Sequence, residues 1–145
     1  MTGRYVRTAG LLAAALALGA APACSSPAPH TLVATPGPHA DPPQVVQALV
    51  DGINARDEDL VRTLSTDGFA DHLLSTWFEG GYLTDATIGE TLHDTGQPED
   101  AATVMVSFTP EGADETMQNG TETSWAFLLV RGESGRWLVT DTGWG

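Results

Sequence analysis

Between Gln44 and Ile53 the apolar residues Val45, Val46, Leu49, Val50 and Ile53 recur at helical spacing and draw one stripe along "QVVQALVDGI". Asp41 precedes the stripe as an N-cap, Pro42 and Pro43 fall in the first turn, and Gln44 stands three residues after the cap. That spacing predicts a capping box and a helix start. Asp57 predicts a second start, with Glu58 and Asp59 favourable to the helix dipole and Leu60, Val61 and Leu64 as the apolar face. Gly68 is its expected stop. Phe69, Leu73, Leu74, Trp77 and Phe78 make a third stripe, closed by Gly80 and Gly81. Three short helices are expected over residues 43–79.

Beyond Gly81 the period shortens to two. "TDATIGETLHD" reads as a first strand with Ile88 and Leu92 as its apolar members. "AATVMVSFT" alternates clearly and puts Ala102, Val104, Val106 and Phe108 on one face. After the excursion "PEGADETMQNG", the runs "TETSWAFLLVR" and "RWLVTDTGW" are joined around "GESG", a hairpin connection. Trp125, Phe127 and Leu129 share one face of their strand, yet Ala126, Leu128 and Val130 on the other are apolar too. A sheet covered on one side by helices needs a single apolar face. Trp125, Phe127 and Leu129 are therefore candidates for a partner surface, and burial of a central strand accounts for them equally well. Helices first and an antiparallel meander after them define an α+β domain over residues 41–145, with the helices packed on one face of a curved sheet.

The residues ahead of the domain read differently. "MTGRYVRTAG" carries Arg4 and Arg7 without an acid, and "LLAAALALGAA" comes directly after it. A positive start, a short apolar core and small residues before a cut site predict a signal peptide over residues 1–23. The run is shorter than the ~20 apolar residues that a membrane span needs. Residues 24–40 form a Pro-rich linker, since Ser25–Pro43 holds six prolines and no periodic pattern. It is expected to be a disordered, PPII-biased tether reaching up to ~60 Å, with His30 and His39 solvated.

Charge narrows the partners. All nineteen acids lie at Asp41 or beyond and, once residues 1–23 are gone, face only Arg56, Arg62, Arg131 and Arg136, an excess of fifteen negative charges. Such a polyanion gains nothing from a phosphate backbone, so nucleic acid is excluded as a partner, and anionic headgroups repel it. The absence of lysine beside abundant Ala, Gly, Thr and Asp fits a GC-rich bacterial genome.

The one cysteine, Cys24, comes immediately after "Ala21-Pro22-Ala23". Exported proteins use cysteines in pairs, and a lone one is a liability unless it is modified. The segment resembles a bacterial lipoprotein precursor, whose cysteine becomes the lipidated N-terminus. The resemblance implies palmitate-type acylation at Cys24 and a domain anchored to the outer face of the cytoplasmic membrane. Without acylation the same cut would release a secreted protein.

The stretches "VVQALVDGINARDEDLVRTL" and "GRWLVTDTGWG" resemble the NTF2-like (SnoaL-like, cystatin-like) superfamily, and small actinobacterial lipoproteins look similar throughout their mature part. The resemblance implies a cone in which the sheet wraps the first helix. It also implies an outer sheet face available to a partner or a second copy. "STDGF" leaves no room for the strand or hairpin that family members place between the second and third helices.

Family enzymes set a carboxylate base inside the cone. Asp141 is the best analogue here, because alternation along "WLVTDTG" gives it the face of Trp137 and Val139. Burial there would raise its pKa toward neutrality and suit it to abstract a proton. Tyr82, Asp85 and His72 complete the candidate pocket with Trp137. A hairpin-end aspartate, a rim aromatic, a turn aspartate and an exposed histidine are the plainer readings. No cofactor or metal is expected, since "RDEDL" and "PEGADE" lack calcium spacing and no histidine pair stands at i, i+4. No G-x-S-x-G elbow occurs. "NGT" at Asn119 fits a glycosylation sequon of little meaning in a bacterium. The leading expectation is a non-catalytic envelope lipoprotein binding a small apolar ligand or a protein partner. An isomerase or cyclase using Asp141 and a structural accessory domain of an envelope complex are the alternatives.

Overall fold

The computed structural model describes residues 32–92, 96–113 and 117–144. The expected signal peptide, Cys24 and the first part of the linker lie outside them.

Helix α1 spans Pro42–Ala55, and its start is the expected capping box. Asp41 Oδ1 accepts from Gln44 N at 3.0 Å, and Gln44 Oε1 accepts from Asp41 N at 3.2 Å. All five residues of its apolar stripe are buried. Helix α2, Glu58–Leu64, begins where Asp57 accepts from Leu60 N at 3.0 Å. It packs close to α1 because Gly52 has no side chain: a Cβ there would sit 3.2 Å from Leu60 Cδ2.

Gly68 does not stop α2. The chain turns extended at Ser65, Thr66 N donates to Val139 O at 2.9 Å, and helix α3 runs from Asp67 to Trp77 with Gly68 in its first turn. The strand expected of relatives between these helices is reduced to one parallel bridge, Ser65 with Val139.

Four antiparallel strands come next, in the order β1-β2-β3-β4: β1 Tyr82–Leu92, β2 Ala101–Glu111, β3 Thr123–Arg131 and β4 Trp137–Trp144. The architecture is thus α+β, with three helices on one sheet face. β1 starts before Thr84 and buries Leu83; irregularities between Thr84 and Thr87 and between Ile88 and Thr91 then shift its phase, leaving Leu92 45% exposed. β2 runs on through Pro110, opposite Leu83.

Trp125, Phe127 and Leu129 face inward and are buried, so they form no partner surface. The register decides this: they pair with Val106, Val104 and Ala102, the inner face of β2. Leu128 and Val130, at 38% and 36% exposure, hold the outer face instead. Between helices and sheet, Trp77, Phe108 and Trp125 meet edge to face with centroids 5.1–6.0 Å apart. Each such aromatic pair adds about 0.5–1.5 kcal/mol beyond its area burial.

Residues 32–40 of the expected linker form no helix or strand, but they are not all solvated. Val33 and Ala40 pack against the core, and Ala40 N closes a turn onto Gly37 O at 3.1 Å.

Candidate functional site

The inner surface of the sheet is lined by apolar residues. Among the described residues the only buried polar or charged residue is Ser65, 3% exposed, whose Oγ has no hydrogen-bond partner. No described carboxylate or histidine reaches the interior.

Asp141 is kept out by a bulge. β3 and β4 pair Leu129 with Val139 but Leu128 with Asp141, so Thr140 is the extra residue. One unpaired residue reverses the phase of everything after it. Asp141 therefore joins Leu128 on the outer face, exposed, and its Oδ1 accepts from Thr142 N at 2.8 Å. Thr142 takes the inward phase, opposite Phe127.

The other candidates are scattered. His72 is exposed on α3, its ring 6.0 Å from that of Phe69. Asp85 is exposed on edge strand β1 with φ 53°, a left-handed conformation that aspartate tolerates better than most residues. Tyr82 opens the same strand, 43% exposed. Asp141 lies on β4, at the opposite edge of the sheet. Trp137 alone is inward and buried, with the Arg131 guanidinium 4.3 Å above its ring and Arg131 Nη1 bonded to Gly135 O at 2.9 Å.

Two groups that pattern reading passes over hold one end of the domain. Asn54, near the end of α1, grips Leu83 at both backbone atoms: Nδ2 donates to its O and Oδ1 accepts from its N, each at 2.9 Å. Arg56 caps α1 in the left-handed region, donates to Ile53 O at 3.1 Å and Trp77 O at 2.8 Å, and lies 4.2 Å from the Tyr82 ring centroid. An asparagine inside a helix is the one available hint, since it favours bonding elsewhere. Arg56 offers none.

At the opposite end a cavity of about 600 Å³ opens between the start of α1, the end of β1 and the β3–β4 hairpin. Pro42, Ala102 and Trp137 supply its apolar wall, while His39, Asp41, Gln97, Glu99 and Arg131 supply polar and charged groups. A second hollow of about 630 Å³ lies under residues 33–40, against α1 and Ile88. No group of three or more metal-ligating side chains occurs among the described residues, and none of their helices is long and apolar enough to cross a membrane.

No protein-family model matches the chain, and no curated protein matches it. One solved structure that resembles it is that of a candidate ketosteroid isomerase from Shewanella frigidimarina NCIMB 400, at 20% identity and a TM-score of 0.47. The likeness covers 70% of this chain and 92% of that one. The activity in that description belongs to that protein. The present chain is an α+β domain with three helices on one face of a four-stranded antiparallel sheet.

Proposed function

We propose that this chain is an exported cell-envelope lipoprotein, held at the outer face of the cytoplasmic membrane through Cys24, whose NTF2-like domain is non-catalytic and docks an envelope protein on its outer sheet face. One observation carries the reading: the interior is filled by Trp77, Phe108, Trp125 and Phe127, while Leu128 and Val130 stand exposed on the other side. A base inside the cone would need a carboxylate there, and Asp141 is on the outer face.

Photocrosslinking residues at Leu128, Val130 and, as control, Tyr82 test the docking in intact cells. Adducts with one envelope protein at the first two positions but not at Tyr82 are expected. Adducts with a second copy would make the face a homodimer interface, and no adduct at either position would remove the reading. The anchor is tested separately: the N-terminal peptide should carry diacylglycerol, and Cys24→Ala should move the protein from membranes to the medium.

The cavity beside Trp137 favours a second reading, the binding of a small ligand against its apolar wall, since its size suits one. An apolar probe that quenches Trp137 fluorescence with a saturable isotherm would support it.

A further inference from the structure

The chain has two asparagines, Asn54 and Asn119, and both clasp the N–H and C=O of another residue in the same way. Asn119 Oδ1 accepts from Ala113 N at 2.9 Å, and its Nδ2 donates to Ala113 O at 3.0 Å. The clasp closes the excursion between β2 and β3, and Gly120 N donates to Pro110 O at 2.8 Å beside it. The two clasps differ in the residue on the C-terminal side of each asparagine. Asn54 is succeeded by Ala55 inside α1, whereas Asn119 is succeeded by Gly120, which has φ 77° and open space around its Cα.

We propose that Asn119 is a self-modification site: its side chain is converted to a carboxylate by the Gly120 amide whenever the clasp opens, and the conversion keeps the clasp open. The Gly120 nitrogen bonds to Asn119 Cγ, the Cγ–Nδ2 bond breaks, and ammonia leaves with the amide proton. Water then opens the five-membered imide at either carbonyl, giving aspartate or isoaspartate. In the closed loop both reactants are engaged, Gly120 N with Pro110 O and the side-chain amide with Ala113. Reaction therefore requires local opening. The product cannot close again as before. An oxygen replaces the Nδ2 donor and meets the Ala113 carbonyl acceptor to acceptor; an isoaspartate also lengthens the backbone ahead of Gly120. Asn54 escapes because Ala55 N is held in the helix and Ala55 Cβ crowds the approach.

The test ages the full chain at mildly alkaline pH, folded and in urea, with peptide mapping that separates aspartate from isoaspartate. Conversion at Asn119 is expected in both, slower in the folded chain by on the order of tenfold, with Asn54 intact in the folded chain. Equal rates in the two states, or no conversion at Asn119 in the folded chain, would overturn the proposal. Asn119→Asp supplies the product directly. It should be cleaved faster than wild type within residues 112–120 under limited proteolysis, with an unchanged far-UV spectrum. Unchanged cleavage would sink the claim that the product holds the loop open.

Discussion

At one end of the sheet, where α1 and α3 finish and β1 begins, Asn54, Arg56 and aromatic rings packed edge to face tie the elements together. At the other, where α1 begins, Pro42, Gln97 and Trp137 surround an open cavity. The same sheet runs through both ends, so the difference comes from the groups packed on it. Large rings and a backbone-gripping amide close the first end; prolines, alanines and a half-packed strap of residues 33–40 leave the second open. The aromatic cluster lies at the closed end, and room for a ligand at the open one.

The comparison breaks most severely at Trp77. Trp77→Ala empties the centre of the closed end and should cost about 3–5 kcal/mol in urea unfolding, with the cavity beside Trp137 unaffected. Asn54→Ala comes next: it strips Leu83 of a donor and an acceptor at a half-buried site and should cost about 1–3 kcal/mol. Arg131→Ala, at the open end, removes an exposed cation–π contact and should cost about 0.5–1 kcal/mol, while raising solvent quenching of Trp137 fluorescence. Asp141→Asn should be smallest, within about 0.5 kcal/mol by the same unfolding measurement. A loss there as large as that of Trp77→Ala would mean that the carboxylate is not on the outer face.

The helical layer was half legible in the sequence. Asp41 and Asp57 cap their helices because capping is a contact between residues three apart, and the stripes of α1 to α3 need only one element to be read. Features that depend on a partner across the sheet could not be read this way. Alternation carried along β4 without its neighbour assigns Asp141 to the interior; only pairing with β3 reveals Thr140 as the extra residue. Leu92 is misread for the same cause on β1, and Trp125, Phe127 and Leu129 stay open between a partner surface and a buried central strand until β2 fixes their phase. Gly68 marks a helix end by composition, but the bridge from Ser65 to Val139 ends α2 first.

For protein engineering, the bulge at Thr140 decides which residues near the end of the last strand face the interior. Asp141 is spent on the outside, while Thr142, opposite Phe127, occupies the inward phase with a side chain that does not ionise. A carboxylate installed at position 142 would lie opposite Phe127, partly withdrawn from water, which would raise its pKa. A designer placing a base near the end of β4 would therefore begin at Thr142, one residue beyond the position that the linear pattern indicates.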